Sequence, residues 1–321
     1  MQNASGATSS ESVIRAMTTD DLDQADRVMR TAFGTFLGVP DPSVTFGDAE
    51  IIRPRFSASP DGAFVASRNG EVLGSVLATR WGSFGFFGPL TVREDVWNQG
   101  LARRLLVPVM ALFDEWGVAL TGLHTFAQSA KHVGLYQRFG YWPQYLTALM
   151  AKPVEESSRS DNTTRLSTLA PPERATAVDA CAQLTDSIYD GLEVNVELEE
   201  IALTRLGDVV LVTDDTGVAA FAVCHCGDGE AGSSSCFVKF AAVRPGPTAS
   251  RHFTELLAGV EAFSRERAVA QVTLGMNTSH RRAYAQLLEL GYRSAAQGVR
   301  MQRPDDLGYC RDDVYVIDDL R

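Results

Sequence analysis

The chain has 321 residues, enough for about two domains, and its 45% hydrophobic and 21% charged residues are ordinary for a folded globular protein. Its formal net charge of −11 argues against nucleic acid and anionic membranes as partners, because both reward clustered Lys and Arg, and it favours cationic small molecules. The polar first residues lack the basic and apolar regions of a signal peptide, and no apolar run is long enough to span a bilayer, so we expect a cytoplasmic protein.

The first part of the chain alternates strand-like and helix-like segments. A short strand at 14–17 precedes a helix that begins near residue 18 with acidic residues in its first turn. Two strands then flank the Asn-Gly turn at 69–70, which is typical of a two-residue hairpin. The next strand, SFGFFGPLTV, contains Pro89, which cannot donate to a sheet ladder, so we expect local unpairing just before Val92.

A second strand and helix pattern follows. Apolar residues at helical spacing predict an amphipathic helix over 101–116, in which Pro108 should cause a kink or an early end. The stretch 119–126 is strand-like. A further helix is predicted from Ser129, near its start, to Gly140, its C-terminal stop.

A polar stretch rich in Ser, Glu, Asp and Thr divides the chain at 153–164 and is interpreted as a linker. We therefore expect one domain over 13–152, preceded by a disordered tail over 1–12, and a second domain over 165–321. The acidic, strand-like C-terminal run RDDVYVIDDLR is interpreted as a final edge or docking segment.

The two parts of the chain resemble each other at a constant separation of 151 positions, with no gap. Matching landmarks are Val92 with Val243, Leu105 with Leu256, Glu115 with Glu266, and Gly140 with Gly291. Such self-similarity indicates two copies of one fold.

The strand-to-helix turn is where the copies differ most. The first copy has Gly100 and Ala102 there, whereas the second has Arg251 and Phe253. Because glycine costs about 1 kcal/mol in a helix interior, Gly100 indicates a need for missing side-chain atoms. We infer that the first copy keeps room for a ligand and that the second has filled it.

Free amides at a helix N-terminus suit a phosphate or pyrophosphate group, here with Arg103 and Arg104 as support. The turn lacks the G-K-[ST] ending of a P-loop and the G-x-G-x-x-G of a dinucleotide fold. ATP and NAD are therefore poor candidates for the ligand.

Five cysteines without a secretion signal do not indicate a disulfide framework. Cys224, His225, Cys226 and Cys236 could be read as zinc ligands, but their spacing does not match a zinc site and the run FAVCHC reads as an apolar strand. We expect no metal.

The turn itself resembles the acetyl-CoA-binding motif of the GNAT superfamily of N-acetyltransferases. The segment LTVREDVWNQGLARRLL is similar to the family pattern [RQ]-x-x-G-x-[GA] after a V-x-P strand end. It departs from that pattern at Trp97, where the family usually has Arg or Gln, and at Glu94, where it usually has Pro.

A second motif supports the resemblance. SAKHVGLYQRFGY is similar to the later family motif N-x-x-A-x-x-L-Y-x-x-x-G-[FY], with Ser129 in place of Asn and His132 in place of Ala. The second copy has Leu287 at the position of Tyr136, so it lacks both the turn and the tyrosine. The resemblance covers about 14–151 well and 164–304 only as a degenerate repeat.

The resemblance, which is nearest to bacterial tandem GNAT proteins, implies an α/β (α+β) fold of two GNAT-like domains, each a mixed, mostly antiparallel sheet flanked by helices. It implies direct acetyl transfer from acetyl-CoA to the primary amine of a small molecule, with catalysis in the first domain. The second domain would be structural or shape the acceptor site. We expect a monomer or homodimer without a nucleic-acid or membrane partner.

The resemblance also implies roles for individual residues. The strand ending at Val92 should splay from its neighbour and receive the pantetheine arm, an amide near Leu90 or Val92 should polarise the thioester carbonyl, and Tyr136 should protonate the leaving thiolate. The base remains open between His124, Glu94 and a water chain. The expected cofactor contacts are Leu90, Thr91, Val92, Trp97, Asn98, Gln99, Gly100, Leu101, Ala102, Arg103, Ser129 and His132.

The acceptor is less defined. The aromatic residues Trp81, Phe84, Phe86 and Phe87 either pack in the sheet or line an acceptor pocket, and the Gly- and Pro-rich segment 33–42 lies where this family often builds that pocket. The alternatives to an acetyltransferase are a non-catalytic CoA-binding sensor or interaction protein and an acyltransferase that uses a longer acyl-CoA.

Overall fold

The computed structural model describes residues 11–155 and 163–320. The predicted tail lies outside the described residues up to residue 10, and the predicted linker does so over 156–162. The helices are α1 (Leu22–Leu37), α2 (Ile52–Ala58), α3 (Leu101–Trp116), α4 (Ala130–Gln137), α5 (Pro171–Asp186), α6 (Asn195–Thr204), α7 (Ala249–Glu266) and α8 (Arg281–Glu289). The strands are β1 (Val13–Ala16), β2 (Ala63–Arg68), β3 (Glu71–Trp81), β4 (Phe84–Val92), β5 (Leu120–Thr125), β6 (Trp142–Pro153), β7 (Thr163–Arg165), β8 (Gly207–Asp214), β9 (Gly217–Gly227), β10 (Gly232–Val243), β11 (Gln271–Asn277), β12 (Arg293–Arg303) and β13 (Val316–Ile317).

The strands form one 13-stranded sheet in the order β1-β2-β3-β4-β5-β12-β6-β11-β10-β9-β8-β7, with β13 paired to β10. Among the described strands, β4 with β5 and β10 with β11 pair in parallel, and the other pairs are antiparallel. The predicted α/β fold with a mixed, mostly antiparallel sheet and flanking helices is confirmed.

The two halves of the chain exchange strands at the centre of this sheet. β6, from the first half, pairs with β11 and β12 of the second half. β12 in turn pairs with β5, with Val299 opposite Thr125. The sequence predicts two successive units, but it contains no signal that strands of one unit would pair with strands of the other.

The repeat of 151 positions is visible in the elements. Three pairs of elements, α4 with α8, β5 with β11 and β6 with β12, begin 151 positions apart.

The Asn-Gly turn between β2 and β3 also has the predicted geometry, because both Asn69 (φ 52°) and Gly70 (φ 83°) adopt the left-handed conformation that such a turn requires.

Helix α3 continues through Pro108 to Trp116, so of the two expected effects of the proline the early end is wrong, and the kink stays a prediction. Proline removes one backbone hydrogen bond, but the buried face formed by Leu105, Val109 and Phe113 holds the helix on the sheet.

The acceptor-pocket interpretation of the aromatic cluster has no support, because these side chains are core residues. Trp81, Phe84 and Phe86 are at most 2% exposed and pack in a core shared by both halves, with Trp81 5.2 Å from Phe240 between ring centroids. Phe87 lies in a separate core beneath α3. No helix among the described residues is long and apolar enough to cross a membrane.

Candidate active site

A gap opens between the parallel strands β4 and β5. They pair from Phe84 opposite Leu120 to Phe86 opposite Gly122, and no pairing follows although β4 continues to Val92. The predicted unpairing before Val92 is confirmed.

Two backbone amides of β4 point into this gap. The amide of Arg93 donates to the carbonyl of Leu73 on the other side, over 2.8 Å. Because inward and outward amides alternate along an antiparallel pair, the N–H groups of Leu90 and Val92 face away from β3 and into the gap. Between them, the Thr91 hydroxyl lies 3.2 Å from that of Ser75 and is buried.

The corresponding gap in the second half is filled by the chain itself. Val316 and Ile317 of β13 pair with Ala242 and Ala241, the counterparts of Thr91 and Leu90. The adjacent Val243 amide, counterpart of Val92, donates to the carbonyl of Tyr315 over 3.1 Å. The C-terminal run is therefore inserted beside β10 and, among the described strands, pairs with that strand alone, so of its two interpretations, an edge or a docking segment, this position favours docking.

The turn after β4 delivers helix α3 with an unusual backbone. Asn98 has φ 63°, and Gly100, the N-cap of α3, has φ 77° and ψ 7°. This left-handed conformation is by itself a sufficient reason for glycine at position 100. A Cβ added to Gly100 would have no protein atom within 4 Å, so the space where a side chain at this position would lie, at the N-terminus of α3, is open.

The second copy does not rebuild this turn. Helix α7 starts at Ala249, after its N-cap Thr248, so Arg251 is already inside the helix and bonds Glu255 over 2.8 Å. Phe253 is buried in the core. The two turns therefore differ as predicted, because helix α7 begins earlier in its half than helix α3 does in the first half and includes the residues of the turn.

Two side chains near the turn depart from expectation. Arg104 donates to the hydroxyl and carbonyl of Ser12 over 2.7 and 2.5 Å, so the expectation that it supports the turn is wrong, whereas Arg103 is exposed. The Trp97 indole donates to the Val92 carbonyl over 2.6 Å, and Lys131 of α4 lies 5.3 Å above the Trp97 ring. Trp97 thus lies across the β4 end of the gap. Gln99 is exposed beside it.

Tyr136 lies on the buried side of α4. Its ring centroid is 5.7 Å from that of Phe87, and Thr125 at the end of β5 is a polar neighbour of the phenol. Burial raises the pKa of Tyr136 to about 12, partly offset by Thr125, so the phenol is protonated at neutral pH.

The start of α4 is capped by Ser129, whose hydroxyl accepts the His132 amide over 3.4 Å. The His132 ring packs 4.9 Å from Phe36 of α1, and burial, with help from Lys131, lowers its pKa. His132 therefore contacts the α1 side as well as α4.

The base candidates lie at different places. His124 of β5 is opposite Arg300 of β12, and a Cβ on Gly298 would come 2.1 Å from its Nε2, so the exchanged strand leaves room for the imidazole. Glu94 is exposed in the turn after β4, at the Val92 end of the gap.

Sequence reasoning missed a group of buried polar residues where α2 meets α6 and the β9–β10 hairpin. We call this group the interface cluster; its members are Arg55, Glu197, Glu200, His225, Glu230 and Lys239. A signal existed, because Glu197 and Glu200 share a helix face with the apolar Leu198 and Ile201.

The cysteines of the second half lie in the core. Cys224 and Cys226 are on β9 as predicted, with Cys236 opposite Cys226 on β10, and all three are buried. The described residues contain no group of three or more His, Cys, Asp or Glu arranged to hold a metal ion.

Comparison with known proteins agrees with this geometry. Residues 28–141, about a third of the chain, match the model of the acetyltransferase (GNAT) family. A putative acetyltransferase from Pyrococcus horikoshii has 12% identity and a TM-score of 0.68, covering 98% of this chain and 96% of that one.

Two further structures have a similar fold. A GCN5-related N-acetyltransferase from Sphaerobacter thermophilus is 16% identical, with a TM-score of 0.62, and covers 91% of this chain and 95% of its own. A tandem GNAT protein from the clavulanic acid biosynthesis pathway is 13% identical, with a TM-score of 0.59, and covers 92% and 99%. No curated protein matches the chain significantly.

Proposed function

We propose that the chain transfers an acetyl group from acetyl-CoA to a primary amine of a small molecule, because residues 28–141 match the GNAT acetyltransferase family and the chain shares its fold with solved acetyltransferase and tandem GNAT structures. One observation carries the proposal. The gap beside Leu90 and Val92 offers unpaired strand amides, whereas the matching gap in the second half already holds a peptide strand.

That internal comparison indicates what the open gap accepts. The second half shows that such a gap binds an extended chain whose carbonyl takes the Val243 amide. The pantetheine arm of acetyl-CoA is also an extended chain with amide groups, and Val92 offers it the equivalent N–H. The diphosphate then falls against the amides of residues 98–103, at the positive end of α3.

The residues of the gap divide the chemistry between them. The amide of Leu90 or Val92 stabilises negative charge on the acyl oxygen when the amine attacks. Tyr136, held neutral by burial, gives its proton to the departing thiolate. His124, Glu94 or a water chain removes the proton from the amine, and His132 with Ser129 borders the α4 side of the gap.

The two halves then have different roles. Residues 13–152 supply the cofactor gap and the proposed acid, and residues 165–321 complete the sheet through β12 and close the face that α2 covers. We propose a single cofactor site per chain, with no metal and no nucleic-acid or membrane partner, in a cytoplasmic monomer or homodimer.

The test is thioester release from acetyl-, propionyl- and succinyl-CoA across a panel of amines, with Tyr136→Phe as the diagnostic variant. We expect wild-type turnover with acetyl-CoA, and a fall in kcat of about tenfold or more in the variant with CoA affinity unchanged. No turnover with any pair, despite CoA binding, would identify a sensor. Preference for the longer thioesters would identify a different acyltransferase.

A further inference from the structure

The interface cluster carries more negative than positive charge in a buried place. Its carboxylates are Glu197, Glu200 and Glu230, and its cations are Arg55 and Lys239. Burial lowers the pKa of the remaining member, His225, to about 3, so it is neutral. An uncompensated buried carboxylate is costly unless a proton or a cation joins it.

Four of the five charged members are already engaged. Arg55 bonds Glu230 over 2.6 Å, and Lys239 bonds Glu230 and lies 3.4 Å from Glu197. Glu197 also accepts the indole N–H of Trp81 over 2.9 Å. These contacts leave the fifth charged group, Glu200, as the excess charge.

Neither carboxylate oxygen of Glu200 accepts a hydrogen bond, because the nearby Thr204 hydroxyl donates to the Glu200 backbone carbonyl over 2.9 Å, and the residue is only 5% exposed. Burial raises the pKa of Glu200 to about 7, against the opposing effect of Lys239. The Nε2 atom of His225, a residue 1% exposed, is also buried without a partner. Lys239 and Glu230 influence the pKa of both side chains, so Glu200 and His225 belong to the same charged group.

The interface cluster is joined to strand β4 through Arg55. The guanidinium that binds Glu230 donates its other arm to the carbonyl of Gly88, over 3.0 Å. Gly88 lies two positions before Leu90 on β4. Arg55 therefore contacts both the acidic group of the second half and the backbone of β4 two positions before Leu90.

An open cleft lies beside the turn of the β9–β10 hairpin, the turn that carries Glu230, and Asp228 of this turn lines it. It has a volume of about 440 Å³, and Asp48, Glu50 and Asp228 are among its five carboxylates, against three arginines. The amide of Glu50 donates to the Gly229 carbonyl over 3.0 Å, next to Glu230. A cation approaching this cleft is attracted towards the turn that carries Glu230.

We propose that the interface cluster binds the second ammonium group of a diamine or polyamine acceptor, with Glu200 as its main anionic contact. The proposal rests on the proposed acetyl transfer, because the free amine at the other end of such an acceptor then reaches the gap past Arg55. An ammonium group has three N–H donors and one positive charge, which suits the unpartnered oxygens of Glu200 and the excess charge of the cluster.

The test measures binding without turnover, by calorimetry on the full-length protein with 1,4-diaminobutane and n-butylamine as probes. We expect the diamine to bind wild type at least about tenfold more tightly than n-butylamine, which has the same carbon chain and one charge. Glu200→Gln should remove that advantage. Glu199→Gln, on the exposed side of the same helix, should leave it unchanged.

Equal binding of the two probes, no diamine binding, or an unchanged affinity in Glu200→Gln would overturn the proposal. If Glu200→Gln does not fold, Glu200→Asp keeps the charge but withdraws it by one methylene. This variant should bind 1,4-diaminobutane more weakly than wild type does and n-butylamine with the same affinity. An affinity for the diamine equal to that of wild type would again overturn the proposal.

Acyl transfer on the same samples separates this inference from the proposed function. Diamine binding through Glu200 without CoA release leaves the binding site standing and contradicts acetyl transfer. Conversely, acetyl transfer whose KM for every amine is unchanged by Glu200→Gln leaves the enzyme standing and refutes the diamine site.

Discussion

Replacement of Gly100 by alanine separates the cost of the backbone conformation from the loss of ligand binding. Gly100 has φ 77° and Gly117, at the other end of α3, has φ 63°, and a Cβ at either would meet no protein atom within 4 Å. Left-handed alanine costs about 1–2 kcal/mol. We therefore expect each of Gly100→Ala and Gly117→Ala to lower the free energy of unfolding by that amount, with Tm falling by about 2–4 °C.

The two variants should differ in CoA affinity. The methyl group at Gly100 projects beside the first amides of α3 and keeps a diphosphate from at least one of them, and a hydrogen bond to a charged group contributes about 1.5–3 kcal/mol. Calorimetric titration with CoA should show a roughly ten- to hundredfold weaker Kd for Gly100→Ala and an unchanged Kd for Gly117→Ala. Equal affinities in the two variants would refute the placement of the diphosphate.

Three other perturbations have defined outcomes. Trp97→Phe removes the indole that occupies the Val92 carbonyl, so CoA should bind about fivefold more tightly by calorimetry, and weaker binding would contradict a competing indole. In the folded protein burial raises the pKa of Glu200 to about 7 from its usual 4.5, so the stability that Glu200 contributes is full below about pH 4.5 and is lost towards pH 7. Between about pH 5 and pH 8, urea unfolding should show that the wild type loses on the order of 2–3 kcal/mol of unfolding free energy relative to Glu200→Gln. Parallel pH profiles of the two proteins would exclude the pKa shift. Deletion of residues 314–321 removes the buried Val316 and Ile317, so Tm should fall by more than about 5 °C. Calorimetry on this variant should still find one CoA per chain, because α7 occupies the position that the turn before α3 has in the first half. A second CoA site would contradict that account.

Local signals in the sequence were sufficient for the elements around the cofactor gap. The hairpin at 69–70, the unpairing before Val92 and helix α4 all follow from turn chemistry, proline and periodicity within about 20 residues. These features depend on neighbours along the chain, so a single sequence displays them.

Pairing across the chain was not accessible in the same way. Alternation of apolar residues marks β6 and β12 as strands but does not name their partners, so the exchange between the halves was not predicted. The insertion of β13 into the second gap has the same cause. A strand-like terminus reads alike whether it forms an edge or fills an interior gap.

The candidate site was predicted in part for similar reasons. The turn at Gly100 and the phenol of Tyr136 belong to continuous motifs, and the structure places both beside the gap. Arg104 was assigned to the turn from proximity in sequence, but Ser12 engages it. Arg55 and Glu230 are 175 positions apart, and nothing local to either indicates their contact.

A crystal structure of the protein with CoA tests the central claim most directly. We predict the diphosphate against the amides of residues 98–103 and the pantetheine arm along Leu90 and Val92, with Trp97 displaced from the Val92 carbonyl and β13 still in the second gap. CoA bound at the N-terminus of α7, near Arg251, or outside the β4–β5 gap would contradict the account.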